Sequence, residues 1–327
     1  MSFVPRTVPT APPDGLRLSA VLIGIGRLVA FAAMYGTSLR VPMLAVVGVG
    51  LGFVLFQSAF GFAGSFRAVL ERGDASGFKV QAVALAVASV IFFPLLAMGQ
   101  IFGQNLGGFG AGIGVTFLIG ALLFGVGMQI GGGCASGTLY VLGGGNLRLI
   151  MTLAFFIIGS AVGAATLHWW AGLPRFPAWT SQELLGWPAA LVVHLGIFAA
   201  VWRFAPGQAP LLRPQEGVWL GPWSLITGAV GLALLNGATL VIAGRPWGET
   251  AGFALWGSKW ALWVGFDVAA WPCWRGNPGP LSASRFFDIT SVMDFGIILG
   301  AAAWAWVAAA FLGSWIGLSL RPLFRLA

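Results

Sequence analysis

From Val80 to Leu147 the chain carries no Asp, Glu, Lys or Arg. Leu, Ala, Val, Ile and Phe fill most of that stretch, and no water-facing surface can be assembled from it. A segment of this kind has lipid as its solvent, and roughly 20 apolar residues suffice for one helical crossing. The rest of the chain agrees. Of 327 residues, 58% are hydrophobic and 8% charged, against about 25% charged in soluble domains. Mean hydropathy is +0.90. A cytosolic enzyme, a disulfide-stapled secreted domain and a disordered protein are all excluded.

The apolar runs are continuous and lack the alternation of a barrel strand, so the fold class is an all-α polytopic membrane protein. Spanning helices are expected over 41–58, 80–98, 112–130, 149–169, 187–202, 223–243 and 293–317. A weaker span over 18–36 is interrupted by Arg27. That makes about eight spans in one transmembrane domain, 18–327, preceded by a Pro-rich flexible tail over 1–17. The net charge of +8 follows from positive-inside loops rather than from a nucleic-acid surface. Arg67, Arg72 and Lys79, then Arg148, then Arg203 and Arg213, and finally Arg321 and Arg325 mark the inner face. The 99–111 and 171–186 loops face outward.

Three stretches are short, rich in glycine and edged with small polar residues: 57–66, 131–140 and 250–260. Irregular backbone at membrane depth persists only where protein buries it or where it lines a wet cavity, so these read as broken or re-entrant segments. GFAGSFRAVL at 61–70 also matches GFALWGSKWAL at 252–262, which suggests an inverted repeat with halves near 41–170 and 187–327. Matched Gly-interrupted segments are a sequence pointer to a transporter binding site. Gly61, Phe62, Gly252 and Phe253 are therefore candidate permeation residues, and Arg67 and Lys259 are candidates for attracting an anion.

The chemistry concentrates in GGGCASG. Gly132 and Gly133 allow a tight turn and close approach to a ligand. Ser136 or Thr138 is expected to cap a short helix, whose free N–H groups make an anion site. Cys134 stands at its lip, with Ser136 and Gly137 beside it. A thiolate would repel an anion, so transport calls for the neutral S–H, a weak donor. That donor suits a soft sulfur-bearing anion better than phosphate, which normally draws Arg or Lys. A buried cysteine is equally at home as a small hydrophobe.

FGFAGSFRAVLERGD at 60–74, GGGCASG, and ALWGSK with TSVMDFGIILGA between 254 and 301 together resemble the YeeE/YedE family of bacterial sulfur-compound transporters. The resemblance runs from about residue 41 to the end. It implies an inner-membrane uptake protein for thiosulfate or a related species, whose cysteines in broken helices pass the anion along by S–H···S contacts. A small cytoplasmic sulfur-carrier protein is the implied partner. Cys134 matches the family's loop cysteine. Gly61 stands where some members carry another, and the second-half cysteine loop has no counterpart in this chain.

Elsewhere Cys273 lies in an aromatic connection, and His168 and His194 suit interfacial positions. Asp267, Asp288 and Asp294 flank the second-half segments, and an intramembrane acid at Asp294 could couple protons. No cofactor or metal site is expected. Two other functions compete with transport of a sulfur anion. One is a non-transporting subunit that docks a sulfur carrier; the other is an intramembrane hydrolase built on Ser136 and His194.

Overall fold

A computed structural model describes residues 39–110, 112–207, 223–282 and 288–316, together with 26, 27 and 30. The 1–17 tail, most of the 18–36 span, Arg213, Arg321 and Arg325 lie outside the described residues.

Each of the seven strong apolar stretches forms a helix. α1 (Arg40–Ser58) stops at Ala59, whose φ of 48° is left-handed, and the chain resumes as α2 (Phe62–Arg72). α3 (Ser76–Met98) follows. A two-residue hairpin, β1 (Gln100–Ile101) and β2 (Gln104–Asn105), then pairs antiparallel around Phe102 and Gly103, both at positive φ. α4 (Val115–Gly131) breaks at Gly132 to Cys134 and restarts as α5 (Ala135–Gly143). α6 (Leu149–Ala165) and the short α7 (Leu167–Ala171) divide the expected 149–169 span. α8 (Ser181–Leu185) leads into α9 (Trp187–Phe204). α10 (Leu225–Ala243) and α11 (Thr250–Trp263) flank a second break. After a one-turn α12 (Gly279–Ser282), α13 (Ile289–Ile316) closes the described chain.

Among the described residues six stretches are long and apolar enough to cross a membrane. α1 with α2 and α4 with α5 count as one stretch each; α3, α9, α10 and α13 are the others. α6 is a shorter apolar helix. The architecture is all-α and polytopic.

The centre is the pair α1 and α13. Apolar side chains gain little by leaving lipid for protein, so membrane helices associate through close packing of small residues. Both helices carry Gly-x-x-x-Gly. A Cβ on Gly48 would stand 2.6 Å from the Met293 carbonyl, and one on Gly52 would collide with the Ile297 carbonyl. Reciprocally, a Cβ on Gly296 would stand 2.9 Å from the Gly48 carbonyl carbon, and one on Gly300 would collide with Val49 O. The backbones touch because neither side supplies a side chain at these places. α5 lies on α13 the same way, with Gly143 against the Ile298 carbonyl and Ala301. α11 lies on α6 through Gly257, whose Cβ would be 2.6 Å from Ile157 O. Leu44, Leu51, Leu139, Phe253, Met293 and Ile297, each 0% exposed, fill the space between these contacts.

Loops expected on the same face meet one another. Lys79 Nζ donates to Gly207 O at 2.8 Å and Ala75 N to Pro206 O at 2.9 Å, which joins two basic loops on one face. The two loops expected on the other face also meet, as Val115 N donates to Pro174 O and Phe176 N to Ile113 O. The hairpin docks on the end of α10, where Gly107 N donates to Gly244 O at 2.8 Å.

The third expected break lies elsewhere. Residues 250–260 are continuous helix, and the interruption falls before them, at Gly244 to Glu249. Gly244, at φ 72°, ends α10 in a left-handed turn that favours glycine. Gly252 and Gly257 serve packing instead of breaking the helix. Gly61 and Gly252 therefore do not occupy equivalent places: the first precedes a helix in extended conformation, while the second lies within one.

Candidate functional site around the break before α5

α4 ends on Gly132, whose φ of 78° turns the chain out of the helix. Two residues later Cys134, extended at φ −76° and ψ 178°, starts α5 as its N-cap. The cap is the cysteine itself, not Ser136 or Thr138. Its Sγ accepts the Gly137 backbone N–H at 3.4 Å and lies 3.4 Å from Ser136 Oγ. An N-cap side chain ordinarily accepts from the second or third helical N–H, and sulfur's larger radius lengthens the contact. Gly137 gives this contact room, because a Cβ there would approach Sγ to 3.2 Å. Thr138 fixes the same turn from below, its Oγ1 and its N–H both bonded to the Cys134 carbonyl at 2.9 and 2.8 Å.

Cys134 is 5% exposed, yet its neighbourhood is polar. With the Ser136 hydroxyl donating, the sulfur accepts two hydrogen bonds and its own S–H stays available to an acceptor. The other two breaks converge on this one. Gly61 lies across from Tyr140: a Cβ on the glycine would be 3.7 Å from the phenol oxygen. From the break before α11, the Glu249 carboxyl group comes close to the backbone N–H of Ser136. An acidic side chain thus stands at the positive end of α5, a favourable place for it.

The remaining expected residues scatter. Gly133 is buried beside Cys134 and Gly132 is exposed. Phe62 is 39% exposed, with its ring edge-on to Phe60. Phe253 is wholly buried between Phe156 and Trp256, a packing role. Gly252 faces Asp294, not Cys134. Arg67 is exposed on α2. Lys259 Nζ donates to the Leu281 carbonyl at 3.0 Å and anchors the loop after α11. Cys273 is exposed in that loop. His194 bonds Ala190 O through Nδ1 at 2.8 Å and meets Phe93 edge-on, while Ser136 Oγ pairs with Cys134 Sγ. The Ser136 and His194 pairing of a hydrolase is therefore not assembled. His168 is exposed next to Trp169.

Sequence reasoning missed Glu249 and Tyr140. The signal for Glu249 was available: a lone acid stands between two apolar stretches, the same cue that singled out Asp294. Tyr140 gave none, since its approach to Gly61 depends on how two distant breaks fold together.

A buried thiol at the mouth of a broken membrane helix, with a second broken helix and an acid brought against it, defines a polytopic membrane protein with an interior polar site. Residues 57–319 match the Sulphur transport family, and the chain belongs to it. It is 32% identical over 181 residues to the thiosulfate transporter TsuA of Spirochaeta thermophila, covering 54% of this chain and 48% of that protein. It is also 32% identical over 117 residues to the Escherichia coli thiosulfate transporter TsuA, covering 36% of this chain and 32% of that one. The chain thus spans about half or less of the length of these relatives.

Proposed function

We propose that this protein carries a sulfur-containing anion, thiosulfate foremost, inward across the bacterial inner membrane, through a constriction at Cys134. The observation that carries the reading is the Cys134 cap. It places an S–H and the Ser136 hydroxyl together at the N-terminal, positive end of α5 inside the membrane domain. The family and its thiosulfate-transporting relatives support the substrate class.

The chemistry favours passage over retention. A hydrogen bond to a charged group contributes about 1.5–3 kcal/mol, and a thiol is a weak donor. A few such contacts recognise an anion without trapping it, as conduction requires. No lysine or arginine is needed at the constriction, and phosphate is thereby disfavoured. Gly132 exposes its backbone for close approach, and Gly61 puts no side chain in front of Tyr140. Passage has one large opponent. An inside-negative potential opposes each entering negative charge by about 2.3 kcal/mol per 100 mV, so a dianion meets twice that.

Growth of a sulfur-limited bacterial strain on thiosulfate tests the reading. The wild-type gene restores growth and Cys134→Ala does not. Equal rescue by both would remove Cys134 from the path. Failure of the wild type, with the protein present in the membrane, would overturn transport itself.

A further inference from the structure

Asp294 stands beside the anion path without belonging to it. The residue is 0% exposed on α13. Its Oδ1 accepts Trp247 Nε1–H at 3.4 Å. Its Oδ2 is buried and has no hydrogen-bond partner. That oxygen is directed at the backbone of Gly252, where a Cβ would come within 2.6 Å of it. α11 therefore leaves room for an unpartnered carboxyl oxygen.

The elements against α13 bring several charged or titratable groups. These are Arg40 on α1, Cys134 and Tyr140 on α5, Arg245 and Glu249 before α11, and Lys259 on α11; Asp288 lies at the start of α13 itself. The cations are engaged elsewhere. Arg40 donates to the Ala243 carbonyl, Arg245 to Thr290 Oγ1 at 3.3 Å, and Lys259 to Leu281 O. Asp288 is occupied as the cap of α13, accepting the Ser291 N–H and O–H, both at 2.8 Å. Electrostatically, Asp294 feels the carboxylates Glu249 and Asp288. A buried carboxylate with no counter-charge bears a desolvation cost that a proton on its free oxygen removes. Among the described residues no group of three His, Cys, Asp or Glu could hold a metal ion in its place.

Glu249 links this acid to the anion. Its carboxyl group lies near the Ser136 N–H at the start of α5, where an anion approaching Cys134 would compete for the same donor. Glu249 lies in the segment between Trp247 and Gly252, both of which meet Asp294, and its own carbonyl accepts the Gly252 N–H at 3.0 Å, so the two neighbouring carboxyl groups titrate as a pair. We propose that Asp294 and Glu249 form a proton-binding pair that couples anion passage at Cys134 to proton entry, a proposal that rests on the transport reading and deepens it. The anion displaces Glu249 from Ser136. Each carboxylate takes one proton from the outer aqueous phase, forming an O–H bond, and releases it to the cytoplasmic phase after the anion leaves. Two protons with one thiosulfate dianion make the cycle electroneutral.

The test uses the purified full chain in sodium-free liposomes, with valinomycin and equal potassium on both sides holding the potential at zero. Thiosulfate is a dianion throughout the neutral range, so a pH step acts on the protein. Exchange of labelled for unlabelled thiosulfate at equal pH first establishes transport, and its absence in the wild type overturns the transport reading on which the proposal rests. Given exchange, an outside-acid step of one unit drives net uptake above the equilibrated level, with a driving force of about tenfold per proton. A pH dye trapped inside reports acidification on adding thiosulfate. Asp294→Asn, checked for monodispersity in detergent, transports with its response to the step cut from about a hundredfold to about tenfold, the one proton left to Glu249. Exchange in the wild type with no effect of the step, or a sodium gradient replacing it, overturns proton coupling whatever the variant does. A fully pH-responsive Asp294→Asn overturns the assignment to this pair.

Discussion

Cysteine ranks poorly among helix caps, yet Cys134 fills that position with its sulfur at hydrogen-bond distance from Gly137 N and Ser136 Oγ. Structure and chemistry can be separated here, because serine is a better cap and has no sulfur. Losing an N-cap costs about 1 kcal/mol. Cys134→Ala should therefore melt a few degrees below wild type in detergent, while Cys134→Ser melts at or above it. Thermal unfolding followed by circular dichroism reads this difference. A serine variant that loses the same stability as alanine would show that the sulfur packs and does not cap. Cys134 can also be watched directly in Cys273→Ser, where it is the single remaining thiol. Maleimide labelling should be slow, given the burial of the sulfur, and millimolar thiosulfate should slow it further while equal phosphate leaves it unchanged. Protection by phosphate as well would make the site a general anion trap. At this scale the sequence singled out Gly132, Cys134, Ser136 and Gly137 as candidates by their composition, and the structure places them together at one helix break. It assigned the cap to the hydroxyl residues, because propensity favours oxygen, and only the geometry around Gly137 reverses that.

At the scale of the element, glycine does two jobs that look alike in sequence. Gly132 and Gly244 sit at positive φ and end helices. Gly48, Gly52, Gly296 and Gly300 lie inside helices and let α1 and α13 touch. This ambiguity explains why 250–260 read as a break: Gly252 and Gly257 belong to the second kind. It also explains why the breaks at 59–61 and 132–134 were legible, since polar residues and a short apolar run accompany them. The packing argument predicts opposite outcomes for similar changes. Gly52→Ala or Gly300→Ala forces the helices apart and should destabilise by about 1–3 kcal/mol, the usual range for overpacking. Gly64→Ala, on α2 with nothing within 4 Å of its missing Cβ, should be neutral or stabilising by up to about 1 kcal/mol. Ala59 offers a third case. It holds φ 48° without being glycine, so Ala59→Gly should stabilise by about 1 kcal/mol. Melting temperatures of the four variants side by side check all of this, and a Gly52→Ala protein as stable as Gly64→Ala would sink the close-contact account of α1 and α13.

For the whole molecule, lipid dictates the outline and the breaks dictate the function. The apolar stretches were readable because each must match the bilayer, and the loop charges sorted the two faces that the Lys79–Gly207 and Val115–Pro174 contacts bring together. The three interrupted stretches were expected to converge; what was not readable is which residues meet, Gly61 with Tyr140 and Glu249 near Ser136. No local pattern encodes a meeting between segments so far apart in the chain. The central claim is that the Cys134 sulfur contacts a sulfur anion as it crosses. It is tested most directly by the initial rate of labelled thiosulfate uptake into liposomes containing the purified wild-type protein or Cys134→Ser. The account predicts saturable wild-type uptake, and a loss of about tenfold or more in the serine variant, the equivalent of about 1.4 kcal/mol at the barrier. Equal rates in the two proteins would contradict it.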